Sequence, residues 1–150
     1  GTMRRDGRSP TAPSEDFLTD ADSLADLMGD GAHLVGHSCG GLAALFAAAR
    51  RPNVTLSLTL LDPTAFALGQ HHQAARTFLS EVRSLWNLPL APLASAAFPK
   101  RVVSGGHSAG FDAICDELAD RIGASRMVIE GAGQEIQFTG RPLNAALLTL

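Results

Sequence analysis

Cysteine is scarce in this chain. Its 150 residues hold two, Cys39 and Cys115. Two isolated thiols make no disulfide framework, so a reducing compartment and a cytoplasmic location are expected. Basic charge is not in excess either. Twelve Lys and Arg against 15 Asp and Glu leave a net charge of −3, which argues against a nucleic-acid partner. Long apolar runs are missing as well. Gly, Pro or a charge interrupts each stretch before the ~20 residues a bilayer span needs, so no membrane segment is expected. The start of the chain is Arg-rich and polar, without the apolar core of a secretory leader; Gly1-Thr2 ahead of Met3 reads as a cloning remnant. No spacing of His, Cys, Asp and Glu matches a metal site. The G-x-G-x-x-G fingerprint is absent, and no cofactor is expected. There is no internal repeat and no low-complexity tract.

What remains is a globular composition, 45% hydrophobic and 18% charged, of a size that suits one domain over 1–150 with one core. Residues 1–14 are polar and rich in Pro, Gly and Arg, and read as a loop. From Asp16 the apolar positions Phe17, Leu18, Ala21, Leu24, Ala25, Leu27 and Met28 recur with helical spacing. Gly29 and Gly31 stop that helix. Strands are expected at about 32–37, 54–61, 100–104 and 125–130, each rich in β-branched or apolar residues. Helices are expected from Cys39 to Arg51, from Gln73 to Leu88, from Ala109 to Ile122 and from Pro142 to Leu150. Residues 87–98 read as a connection. Strands alternating with helices imply an α/β fold with about four parallel strands and helices on both faces.

The most informative string is Gly36-His37-Ser38-Cys39-Gly40-Gly41. It contains G-x-S-x-G between an expected strand and an expected helix, the setting of a nucleophile elbow. A serine in so sharp a turn brings backbone close to backbone, and glycine tolerates that approach. Ser38 is the candidate nucleophile. His37, inside the string, is read as structural, with its ring turned away from the site.

The order of pieces resembles the C-terminal half of an α/β-hydrolase. They are Gly7-Arg8-Ser9-Pro10, the elbow, Leu60-Leu61-Asp62-Pro63, Pro99 to Gly106, and Ile129-Glu130-Gly131-Ala132-Gly133-Gln134-Glu135. The resemblance implies a partial α/β-hydrolase. The family's fifth to eighth strands have counterparts here, its first three do not, and its helical cap is cut down to one helix. By the same resemblance Ser38 is the nucleophile and the Cys39 N–H an oxyanion donor; the second donor comes from a loop this sequence does not contain. The family's acid has two positions. One follows strand two, where Asp62 stands; the other follows strand three, where Ser108 stands. Asp62 is the favoured acid, beside the plainer reading of Asp62-Pro63 as a turn.

The family's base is a histidine in a Gly-x-Gly-His string after the last strand. Here the string is Gly131-Ala132-Gly133-Gln134. An amide bonds but does not take up a proton. His107, at the carboxyl edge of strand three, is the alternative base, against its plainer reading as a polar loop residue. The expectation is therefore serine ester or carbonyl hydrolase descent with weak or no hydrolysis, on a small ester-like ligand. Two alternatives stay open: a non-catalytic binding or assembly protein, and a non-hydrolytic tailoring enzyme that uses the same pocket. Without the family's third strand, strand 32–37 becomes an edge that invites pairing with another chain. A homodimer through that edge is expected.

Overall fold

A computed structural model describes residues 13–71, 73 and 87–150. Helix α1 spans Pro13–Leu27 and turns Phe17, Ala21 and Ala25 into the core. Strand β1 follows at Ala32–His37. Helix α2, Cys39–Arg50, is almost all Ala, Leu and Gly and is buried from Gly41 to Leu45 and again at Ala47 and Ala48. Such small side chains let it lie between α1 and the sheet, where Phe46 meets Phe17 with ring centroids 5.6 Å apart. Arg51 then reaches back to α1, donating to the carbonyls of Ala25 and Gly29 at 3.2 Å each. The Gly29 carbonyl lies beyond the last turn of α1, and the Ala25 carbonyl also accepts a long bond from the Met28 N–H at 3.4 Å.

Strand β2 is Thr55–Leu61, helix α3 is Leu90–Ser95 and strand β3 is Lys100–Ser104. Helix α4, Ala109–Ile122, begins at a Ser108 cap and stops at Gly123, whose φ of 65° is the left-handed cap that glycine favours. Strand β4 is Ser125–Val128, and helix α5 is Arg141–Leu148. The four strands are parallel in the order β1-β2-β3-β4. Their carboxyl ends therefore share one edge, which is where ligand sites form on open parallel sheets.

Side-chain alternation splits the core in two. Leu34, Leu58, Leu60 and Val102 face α1, α2, α3 and α4, meeting Leu42, Leu45, Leu93, Ile114 and Leu118. On the other face Leu61 and Val103 pack with Ile129, Ile136 and Leu143 of the α5 side. Arg101 ties α5 down, donating to the Ala146 carbonyl and to Thr149 Oγ1. The expected parallel sheet with helices on both faces is present, with the thicker layer on the α1–α4 side. No helix among the described residues is long and apolar enough to cross a membrane.

Several boundaries differ from the sequence reading. Helix α1 begins at Pro13, inside the stretch read as a loop, and α5 ends at Leu148 rather than Leu150. The connection at 87–98 contains α3. Its Pro92 sits in the first turn, where a missing N–H loses no helical bond, and Leu93 anchors it in the core. Strand β4 stops two residues early at Val128, although the Ile129 N–H still donates to the Ser104 carbonyl at 2.9 Å. The helix expected from Gln73 to Leu88 falls largely outside the described residues.

The two thiols differ sharply. Cys115 is fully buried, and burial pushes its thiol up to about 12, whereas Cys39 is exposed. In the native protein a thiol-reactive disulfide reagent is expected to consume one equivalent quickly, the second only after denaturant is added. Two equally fast equivalents would contradict this packing.

Candidate active site

The turn between β1 and α2 is strained where the chemistry would be. Ser38 has φ 53° and ψ −123°, a conformation that costs a non-glycine residue ~1–3 kcal/mol. Its neighbours hold it there. The Ser38 N–H donates to the Leu61 carbonyl at 2.9 Å, and the Ser38 carbonyl accepts from Gly41 at 2.9 Å and from Thr64 at 3.4 Å. The chain reverses so tightly that a Cβ on Gly36 would lie 2.5 Å from the Gly40 carbonyl and 2.7 Å from Gly41 Cα. A Cβ on Gly41 would stand 3.1 Å from Pro63 Cβ. Gly40, by contrast, has open space around it. The glycine requirement read from the string thus applies to Gly36 and Gly41 and not to Gly40. Cys39 opens α2, so its N–H has no acceptor within the helix, the kind of donor an oxyanion site uses. Its thiol accepts from Thr64 Oγ1 at 3.7 Å.

Asp62 stands one strand away. Its N–H continues the ladder to the Val103 carbonyl at 2.8 Å, and its φ of 39° turns the chain out of β2 into Pro63. The residue is 0% exposed, which sets it apart from an ordinary solvated Asp-Pro turn. Oδ2 accepts from the Gly105 N–H at 3.2 Å and lies 3.6 Å from His107 Nδ1. Oδ1 is buried with no hydrogen-bond partner among the described residues. Burial raises the carboxyl above the usual Asp range; His107, the Gly105 N–H and His37 pull it down more weakly, and Asp112 pushes it further up.

The loops after β3 and β4 meet backbone to backbone. A Cβ on Gly105 would fall 1.7 Å from the Gly133 carbonyl oxygen, so only glycine allows the crossing. Gln134 follows that crossing and is exposed. Its carbonyl accepts from His37 Nε2 at 2.6 Å. The His37 ring, expected to turn away, instead spans from β1 to the loop that carries Gln134. Ser108 caps α4 by accepting from the Phe111 N–H at 3.5 Å, a structural task. Ser38, Asp62, His107 and Gln134 all belong to the carboxyl edge of the sheet.

Sequence reading missed a polar cluster behind this edge. The buried Ser104 hydroxyl donates to Asp112, and Arg126 donates to Ser104 Oγ at 2.7 Å, to Asp112 at 3.4 Å and to Asp116 at 2.7 Å. It fastens α4 to the end of β3, immediately before the Gly105 amide that holds Asp62. The only signal was an arginine inside an otherwise small strand. Among the described residues no group of three or more His, Cys, Asp and Glu could hold a metal ion.

A model of the alpha/beta hydrolase family matches residues 2–145. No curated protein matches the sequence at a significant level. Among solved structures the chain is similar to an alpha/beta hydrolase enzyme from the metagenome of sediments of the Mar Chica lagoon, Morocco. That match has 14% identity and a TM-score of 0.69 over 93% of this chain and 72% of the other. The thioesterase domain from the curacin biosynthetic pathway is 16% identical, with a TM-score of 0.63 over 95% and 76%. An esterase from Mycobacterium tuberculosis is 22% identical, with a TM-score of 0.62 over 92% and 66%. At these identities the likeness is one of fold.

Two outcomes follow from the geometry. Gly36→Ala is expected to unfold the chain or strip it of a cooperative melt, while Gly40→Ala melts like the parent; equal melts for both would refute the turn described. Asp62→Asn keeps an acceptor for Gly105 and a residue type that tolerates positive φ. Because the folded state holds the Asp62 proton more tightly than the unfolded chain, stability falls as pH rises from the reference value of 3.8 through the raised one. The Asn variant escapes that loss. It should melt higher than the parent at pH 7, by about 2–4 °C for each kcal/mol relieved, and the gain should vanish below about pH 3.8. A lower melt at pH 7 would contradict the raised carboxyl.

Proposed function

The chain belongs to the alpha/beta hydrolase family, and from that premise we propose that it is a slow, serine-dependent hydrolase of small esters or related acyl carbonyl compounds. The observation that carries the reading is the backbone of Ser38, held at φ 53° and ψ −123° one strand from a buried carboxylate. Strain of this kind persists only where the surroundings enforce it, and it clusters at sites of chemistry. Ser38 is the nucleophile, Asp62 the orienting acid and the Cys39 N–H one oxyanion donor. The esterase and the thioesterase domain among the similar folds are named for attack on an acyl carbonyl, which supports the substrate class.

Turnover is low because Gln134 occupies the position of the family's base. An enzyme short of one triad member keeps a residual ~10³–10⁴-fold acceleration over water, from binding and the oxyanion hole. The free thiols fit a cytoplasmic location. A fluorophosphonate probe is expected to label Ser38 slowly, to leave Ser38→Ala unlabelled, and to label Gln134→His at least tenfold faster. Labelling that persists in Ser38→Ala, or none in either the parent or Gln134→His, would overturn the reading.

An assembly role is favoured by one feature. Strand β1 is at the edge of the described sheet, and Val35 on it is 50% exposed. Apolar edges of this kind pair with other chains. The reading is a homodimer joined through β1, and light scattering should return twice the 15.6 kDa chain mass. A monomer at micromolar concentration would refute it.

A further inference from the structure

We infer that His107, on the loop after β3, accepts the Ser38 proton in this chain, in place of the residue at position 134. The inference rests on the serine-hydrolase reading and adds the base that reading lacks. It starts from Asp62. A fully buried carboxylate with one oxygen unpartnered among the described residues is costly. Its other oxygen, Oδ2, which accepts from the Gly105 N–H, lies 3.6 Å from the Nδ1 of His107. That is longer than a hydrogen bond, and a shift of about half an ångström closes it. Catalytic hydrogen bonds are often loose before substrate arrives.

The local structure suits the role. Gly106, with φ 66°, turns the loop ahead of His107, and Gly105 pins its base against Gly133. The Phe111 ring supports one face of the imidazole, 5.4 Å between centroids. The side chain is 28% exposed, so it is held below and open above. Pairing of Nδ1–H with Asp62 leaves Nε2 as the free base. The strand order β1-β2-β3 sets Asp62 between the ends that carry Ser38 and His107. Those ends are about 10 Å apart at a strand spacing of ~4.8 Å, and the His107 imidazole, 3.6 Å from Asp62, lies within that span. The charged and titratable groups facing this pair are Asp62 from β2, His37 from β1, Asp112 from α4 and Glu130 after β4. Glu130 Oε2 lies 2.9 Å from where a Gly106 Cβ would stand.

The step balances without any further reagent. The Ser38 hydroxyl proton passes to Nε2 as Oγ bonds to the ester carbonyl carbon, and the carbonyl π pair moves onto oxygen, facing the Cys39 N–H. Collapse breaks the carbon–oxygen bond to the alcohol, which leaves with the proton from Nε2. Water then attacks the acyl-serine by the same relay, giving the carboxylic acid and restoring the Ser38 hydroxyl.

The test is the rate of fluorophosphonate labelling of Ser38 in the parent, His107→Gln, Gln134→His and the double variant, with melts recorded for each. His107→Gln should lose at least about 100-fold in rate, the scale of general-base catalysis. The double variant should regain labelling, which separates loss of the base from loss of the fold. A parent-like rate in His107→Gln would overturn the inference and leave the serine-hydrolase reading standing. So would a double variant as inert as His107→Gln with a parent-like melt. No labelling in either the parent or Gln134→His would overturn both.

Discussion

Everything at the carboxyl edge depends on one reversal of the chain. Between β1 and α2 the backbone turns back on itself so closely that position 36 has no room for a Cβ. The Ser38 N–H is pulled across to the Leu61 carbonyl. That single bond joins the end of β1 to the end of β2, and with it the serine to the residue before Asp62. The packing of α2 serves the same turn: only a helix of Ala, Gly and Leu could lie close enough to the sheet to start where this one starts. The order of cause runs from small residues, to close approach, to a strained serine beside a buried acid.

Asp62 is the second constraint, and it works against stability. The fold spends hydrophobic burial on enclosing a carboxylate with a single backbone N–H as its firm partner. The Gly105 amide that supplies it is itself fixed from two sides, by the Gly133 crossing and by the Ser104–Asp112–Arg126 cluster behind it. A residue so expensive to bury, and so carefully held, is characteristic of a site where stability is exchanged for chemistry.

Much of this was legible in the sequence because the relevant signals are local. The elbow string, the four strands and the helices α2 and α4 are written in neighbouring residues, through apolar periodicity and the strand–turn–helix order. Helix α3 was not, because two prolines in Pro89-Leu90-Ala91-Pro92 look like a breaker until one sees that both sit where a helix tolerates them. The burial of Asp62 was not either. Asp-Pro after a strand reads equally as a solvated turn, and only the closure of the loops from β3 and β4 over it decides. The same is true of Gly40, which the motif treats as equal to Gly36 although nothing approaches it, and of His37, whose ring reaches a loop 97 residues away in the chain. Contacts between loops leave no periodicity to read.

The central claim is that the site keeps its nucleophile geometry although Gln134, proposed to stand at the family's base position, is an amide. The most direct measurement is a crystal structure of the chain after prolonged reaction with a fluorophosphonate. The account requires phosphorus bonded to Ser38 Oγ, with the phosphoryl oxygen facing the Cys39 N–H. A folded chain with Ser38 unmodified, or with that oxygen turned away from Cys39, would contradict it.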